Sequence, residues 1–358
     1  MDCASFALCG VRMDHEKRYN EIYETIRRGW DSIAKPLESL GRLETLVAKL
    51  GAAQNKEHPA VEKSALLVLC ADNGIVEEGV SQSAQAVTRV CAENIAAGKT
   101  TAGIMAAQTD TEIIAVDMGI ACSECIPGVL CRKIRQGTRN FAKEPAMTQT
   151  EVEQAVQTGL SLVEECRKRG VDVICIGEMG IGNTTTSAAV AASLLKCPAK
   201  TVVGRGAGLS EAGLARKREV VQNAIDSYGL YEASAFDVLR AVGGFDIAGM
   251  VGVYEGARRY GVPVILDGAI SLVAALVAER MNPGVMRYLL PSHKSREPLS
   301  ALVCDALGIK PVLDADMALG EGTGALLMLG VLKTAVAVYE KSLRFNESGV
   351  AQYKRHGV

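Results

Sequence analysis

The sequence predicts an α/β protein in which helices cover both faces of a parallel sheet. Three observations predict it. From about Ser64 onward, strand-length apolar runs alternate with helical stretches: ALLVLCADNG, EIIAVDMGI, VDVICIGEMG, TVVGRGAG, PVILDGAIS and RYLLPSH. The runs are apolar at successive positions, so both faces of each strand are buried, as in a parallel sheet. Most of them end in a small or acidic residue, often with Gly, and such sheets bind ligands at their carboxyl ends. The composition agrees, with 48% hydrophobic residues, 22% charged residues and 36 glycines in 358 residues. That length suggests about two domains at ~150 residues each.

The elements follow in order. Residues 1–13, MDCASFALCGVRM, have neither the apolar core of a signal peptide nor the Arg/Ser-rich stretch of a transit peptide. They are expected to be a disordered or non-native start, with Met13 as an alternative first residue. Residues 14–63 form the N-terminal helices of a small domain. Tyr19, Ile22, Tyr23, Ile26, Trp30 and Ile33 fall at spacings of three and four, which puts them on one helix face. Lys35-Pro36 breaks the pattern, and a second helix runs around Leu40 to Leu50. Residues 64–323 form the large α/β catalytic domain. Residues 324–358 supply a long apolar helix from Gly324 to Leu343 and a polar tail, which join the N-terminal helices. No apolar run is long enough, and free enough of charge and Gly, to span a bilayer.

Charge and cysteine usage exclude several functions. The 39 Lys+Arg and 41 Asp+Glu leave a formal net charge of −2. That near-balance argues against nucleic acid or an anionic membrane held by bulk charge. Aromatic residues at 4% leave few platforms for stacking bases. Among the 11 cysteines, Cys70, Cys175 and Cys304 sit in apolar runs and read as small hydrophobes of a reducing, cytoplasmic compartment. Cys122, Cys125 and Cys131 lack a second pair or histidines at zinc spacing, so no metal is expected.

Four motifs could carry chemistry. Gly98-Lys99-Thr100-Thr101 looks like the end of a phosphate-binding P-loop, but Glu93 stands where that loop needs Gly. A helix ending in Gly followed by a Thr N-cap explains it better. The segment ICIGEMGIGNTTTSAA (174–189) runs a buried strand into a glycine-rich turn and an Ala-rich helix. Glycine lets the backbone approach a ligand and the helix N-terminus offers N–H groups to a phosphate, although a tight strand-to-helix turn reads almost as well. Val203-Gly204-Arg205-Gly206-Ala207-Gly208-Leu209 is a second glycine-rich strand exit, followed by Arg216-Lys217-Arg218 on a helix. Arg216 and Arg218 fit a solvated face, and Lys217 is the cation that could turn inward. Leu319-Gly320-Glu321-Gly322-Thr323-Gly324 sets one carboxylate among three glycines, as a general base in a cleft would need. Asp72, Asp117, Asp246 and Asp267 each stand near Gly at a strand or loop end, where capping is the default reading, and His293 is assigned no acid role.

GEMGIGNTTTSAA, GRGAGL with its following basic helix, VGGFDIAGM, VILDG, PSH and LGEGTGAL occur here in one order. Together with KPLESLGRLE (35–44) and ADNGIVEEGVSQSAQAVT (71–88), they closely resemble the nicotinate-nucleotide:dimethylbenzimidazole phosphoribosyltransferases of cobamide lower-ligand synthesis. The resemblance spans roughly residues 14–343. It departs at Glu38, Asn73 and Ala84, where the family often has Gly, His and Pro.

The resemblance implies a Rossmann-like domain, a smaller helical domain from both chain ends, and a homodimer whose subunits complete each other's sites. It implies transfer of phosphoribosyl from nicotinate mononucleotide to dimethylbenzimidazole or a related base, with inversion at the anomeric carbon and without a cofactor. By the same resemblance Glu321 is the catalytic base and Glu178 lies by the ribose. Gly180, Ile181, Gly182 and Asn183 form the phosphate turn with Gly206 and Lys217. Ser83, Met179, Leu319 and Cys91 belong to the base pocket, Cys91 standing where the family can carry Gln. Two other readings compete: a nicotinate-mononucleotide hydrolase, with water as acceptor, and a nucleotide- or azole-binding protein without turnover.

Overall fold

The computed structural model describes residues 3–355, with side chains from Glu16 onward. Of residues 1–13, expected to be a disordered or non-native start, 1 and 2 lie outside the described range and 3–13 belong to the helix Cys3–Asp31. Six strands form one sheet: β1 (Ser64–Ala71), β2 (Thr111–Gly119), β3 (Leu130–Cys131), β4 (Val173–Met179), β5 (Val264–Ile265) and β6 (Leu289–Leu290). Their spatial order is β3-β2-β1-β4-β5-β6 and every pairing is parallel. This is the doubly wound order, in which the direction of winding reverses between β1 and β4.

Strand β1 shows why both faces are covered. Successive side chains point to opposite faces. Ala65, Leu67, Leu69 and Ala71 enter one apolar core, whereas Leu66, Val68 and Cys70 enter another. All are fully buried, so β1 has no polar face.

The first core is closed by α5 (Gln149–Lys168), α6 (Asn183–Leu195), α7 (Ala199–Val202), α8 (Glu211–Tyr228), α9 (Ala235–Val242), α10 (Phe245–Tyr260), α11 (Ala269–Met281) and α12 (Leu299–Leu307). The second is closed by α1 (Cys3–Asp31), α2 (Arg42–Gln54), α3 (Ala86–Ala96), α4 (Thr101–Gln108) and α13 (Thr323–Lys341). The helices from the two chain ends therefore meet on one face of the sheet. Ile22, Ile26 and Trp30 of α1 share that core with Leu329, Leu332 and Tyr339 of α13. The Trp30 and Tyr339 rings lie 5.0 Å apart. A last short helix, α14 (Phe345–Ser348), follows.

Three sequence expectations need correction or refinement. Thr201 and Val202 form no strand. Pro198 starts α7, and the buried Val202 packs from a helix. A short apolar run does not distinguish the two conformations by itself. The helix α13 is, by length and composition, apolar enough to cross a membrane, contrary to the expectation that no run is. It folds as a core helix, with Ala325, Leu326, Met328, Leu329 and Leu332 buried. The two-residue strand β3 was invisible as a separate apolar run. The P-loop-like segment, by contrast, is as expected: Gly98 has φ +69° and Thr100 caps α4 by accepting from the Gly103 N–H.

Candidate active site

Where β1 and β4 part, their carboxyl ends open a cleft of about 310 Å³. The strand reversal leaves this crevice because the chains leaving β1 and β4 turn to opposite sides of the sheet.

One wall is the turn from β4 into α6, held in place by the exit of β1. The Thr88 hydroxyl donates to Asp72 Oδ1 at 2.7 Å and accepts from the Ile181 N–H at 3.1 Å. Asn73 Nδ2 donates to the Ile181 carbonyl at 3.3 Å. Asp72 thus ties the turn to the exit of β2, its Oδ2 accepting from the Ala121 N–H at 2.8 Å, instead of capping the next helix as the default reading had it. At the N-cap of α6 stands Gly182 with φ 94°, and no side chain caps the helix. An N-terminus left open in this way suits an anion.

A buried cation faces the same place. Lys217 on α8 is 1% exposed, and its Nζ donates to Thr184 Oγ1 at 2.9 Å. A Cβ on Gly206 would lie 3.5 Å from that Nζ, so Gly206 brings the second glycine-rich loop against it. Burial pushes the lysine down to about 8, with a smaller opposing effect from Glu297. Arg216 and Arg218 are exposed, as a solvated face requires.

Two carboxyls approach from different elements. Glu178, near the end of β4, is 7% exposed and lines the cleft. Asn183 Nδ2 donates both to its Oε2 and, at 3.1 Å, to Asp246 Oδ2. Burial, then the charges of Asp246 and Asp267, push Glu178 up to about 8 despite that amide. Burial likewise pushes Asp246 up to about 6.

Glu321 sits on the turn before α13. Gly320, Glu321 and Gly322 have φ 88°, 59° and 84°, three successive left-handed residues. For a glutamate that conformation is strained, and such strain clusters at functional sites. Its Oε2 is buried without a hydrogen-bond partner. A Cβ on Gly320 would stand 2.6 Å from Glu178 Oε1, so this turn and the Glu178 carboxyl are in contact.

Of the residues nominated from sequence, Glu178, Met179, Gly180, Ile181, Gly182, Asn183, Gly206, Leu319, Glu321 and Cys91 line the cleft. Lys217 stands one layer behind, through Thr184. Ser83 does not line it, whereas its neighbours Ser81 and Gln82 do. Cys91 is half-buried on α3, and burial followed by the Glu321 charge raises its thiol. The sequence reading missed Arg205, His293 and Glu297 as lining residues. Asp246 and Asp267 were visible as Asp near Gly at loop and strand exits, but nothing in the sequence ranks them above ordinary caps. Among the described residues, Cys122, Cys125 and Cys131 join no group that could hold a metal.

A doubly wound sheet with an anion-receptive turn and two carboxyls facing one cleft defines an α/β enzyme acting on a small phosphorylated substrate. The family is more specific. The DBI_PRT phosphoribosyltransferase model matches residues 16–350, and the chain belongs to this family. It is 44% identical over 336 residues to the nicotinate-nucleotide–dimethylbenzimidazole phosphoribosyltransferase of Acetivibrio thermocellus, covering 94% of this chain and 96% of the relative. To the protein of the same name from Ruminiclostridium cellulolyticum it is 41% identical, over 93% and 95%. The crystal structure of CobT from Thermus thermophilus superposes with a TM-score of 0.88 at 37% identity, over 93% of this chain and all of that one.

Proposed function

We propose that this chain transfers the phosphoribosyl group of nicotinate mononucleotide to 5,6-dimethylbenzimidazole or a related azole. The products are nicotinate and an α-ribazole 5′-phosphate, with inversion at the anomeric carbon, for assembly of the cobamide nucleotide loop. The names of the relatives above support the reaction. The observation that carries the mechanism is the buried, unpartnered Oε2 of Glu321 in the cleft. A buried acceptor without a donor is costly, and an azole N–H supplies one.

The residues divide the work as follows. The substrate phosphate sits at the open N-terminus of α6, on the Gly180–Asn183 turn, with Gly206 beside it and Lys217 behind. The anion offsets the burial that lowers Lys217 and so favours its ammonium form. Glu178 carries a proton in the free site at neutral pH, since burial has raised it to about 8. A cationic pyridinium nucleotide beside it favours the carboxylate, which then stabilises an oxocarbenium-like transition state. The bond from C1′ to the pyridinium nitrogen breaks with its electron pair going to the ring, so nicotinate departs without needing a proton. One azole nitrogen forms the new bond to C1′ from the opposite face. The other nitrogen then gives its proton to Glu321. Met179, Leu319 and Cys91 form the apolar part of the base pocket, with Ser81 and Gln82 near the place assigned to Ser83.

A homodimer is part of the same reading. Val87 and Val90 on α3, Ile104 on α4, and Leu319 and Leu327 at α13 are large, apolar and exposed. Helix α4 packs on both α3 and α13, and Cys91 and Leu319 lead from these elements into the cleft. A second copy covering this face would close the site. The enzyme is read as cytoplasmic, in keeping with its described cysteines, all of them free.

The test is incubation with nicotinate mononucleotide, with and without dimethylbenzimidazole, followed by mass spectrometry. A ribazole phosphate formed only with the azole is expected. Nicotinate release without the azole would make the protein a hydrolase, and a bound but unreacted pair would make it a binding protein.

A further inference from the structure

The Glu321 turn is strained, so something must hold it. Within the turn the Thr323 N–H and hydroxyl donate to the Gly320 carbonyl at 3.1 and 2.9 Å, and the two glycines flanking Glu321 add no side chain. Asp267, the first residue after β5 and Leu266, is 2% exposed and reaches across to this turn. Its Oδ2 accepts from the Gly322 N–H at 3.1 Å and its Oδ1 from the Gly324 N–H at 2.8 Å. Both carboxylate oxygens are thus used on backbone amides immediately after Glu321. His293, which follows β6, presses on the same segment: a Cβ on Gly324 would collide with its Nδ1. Ser292 links the two loops, its hydroxyl donating to the Asp267 carbonyl at 3.1 Å.

We propose that Asp267 is a positioning residue for the transferase reaction, acting through the Gly322 and Gly324 amides to hold Glu321 where it meets the azole proton. This rests on the reading of Glu321 as the base. The carboxylate is suited to the task. It satisfies two N–H groups in the first turn of α13, where a negative charge is also favoured by the helix. An amide in its place would keep the shape but turn one donor toward an N–H donor. The turn would then relax from its left-handed conformation, and displacement of a catalytic group by about 1 Å is enough to cost ~10²-fold in rate.

The experiment is a double-mutant cycle in kcat with Asp267→Asn, Glu321→Gln and the pair, together with direct binding of nicotinate mononucleotide by calorimetry. Asp267→Asn is expected to lower kcat by roughly 10- to 100-fold, with Kd and KM for the nucleotide within about threefold. In the Glu321→Gln background the same substitution is expected to cost less than about threefold, because two residues acting as one unit are non-additive. An equal cost in both backgrounds would overturn the proposal, as would full kcat in Asp267→Asn. If Glu321→Gln alone keeps full kcat, it is the reading of the base that fails. Should Asp267→Asn not fold, Asp267→Glu takes its place in the cycle. Loss of nucleotide binding in both variants would make Asp267 a folding residue and overturn its positioning role.

Discussion

Gly177 and Glu321 meet backbone to backbone: a Cβ on Gly177 would stand 2.6 Å from the Glu321 carbonyl carbon and 2.7 Å from its oxygen. The strand that carries Glu178 therefore also seats the turn that carries Glu321. Gly177→Ala forces a side chain against backbone that has nowhere to move. It should lower stability by about 1–3 kcal/mol, the usual cost of overpacking, and reduce kcat as the turn is displaced. Denaturant unfolding and steady-state kinetics read the two effects. A variant unchanged in both would show that this contact is not needed.

Glu321→Gln keeps the shape of the side chain and removes its basicity. The expected loss is ~10²–10⁴-fold in kcat, with nucleotide binding retained. Single-turnover product formation measures it.

Lys217→Met should raise KM for nicotinate mononucleotide by up to roughly 10-fold, since it removes the buried cation behind Thr184, and the ~1.5–3 kcal/mol of a direct hydrogen bond to a charged group is an upper bound. Stability should move the other way. The lysine falls from 10.5 in the unfolded chain to about 8 in the fold, so the buried ammonium costs stability below about pH 8. That cost fades as pH rises toward 10.5. At pH 7 the variant should equal or exceed the wild type in chemical denaturation. A marked loss would mean that Lys217 is needed for folding.

Glu178 is an acid with a raised pKa, so its sign is opposite. The native state holds the proton more tightly than the unfolded chain between about pH 4.5 and 8. Its contribution is complete below pH 4.5 and is lost as pH climbs through about 8. Glu178→Gln lacks this dependence and should gain on the wild type in unfolding midpoint as pH is raised from 6 to 9. Parallel pH profiles for the two proteins would contradict the burial of an ionisable group here.

Ile104→Asp places a charge in the exposed apolar face formed by α3, α4 and α13. The wild type is expected to sediment as a dimer and the variant as a monomer. A wild type that is monomeric at micromolar concentration would remove the homodimer from the reading.

The glycine-rich turns were legible because glycine is informative wherever backbone must come close. GEMGIGN and LGEG both announced positions where a ligand or another chain segment approaches. Glu321 was legible for the same reason, as an acid isolated among glycines, whereas Glu178 was assigned only through the family resemblance. Lys217 was ambiguous because a basic helix triplet shows no direction. Only the packing of α8 decides that residue 217 faces inward while 216 and 218 face water. Ser83 was misplaced because a half-buried loop at the rim has no period from which to read its orientation.

By itself, the sequence determined the alternation of buried strands and helices, the parallel sheet this requires, and the segments from which the site is drawn. These follow from local patterning, since a strand apolar on both faces demands cover on both. Tertiary structure alone decided the rest. It brought the helices of the two chain ends onto one face of the sheet, and made α13 a core helix although its composition would suit a membrane. It set Asp267 against the amides beside Glu321, 54 residues away in sequence. It tied Glu178 to Asp246 through one amide and pushed both carboxyls above their ordinary range. Such relationships depend on burial and on distances between groups far apart in the chain, and neither quantity exists until the chain has folded.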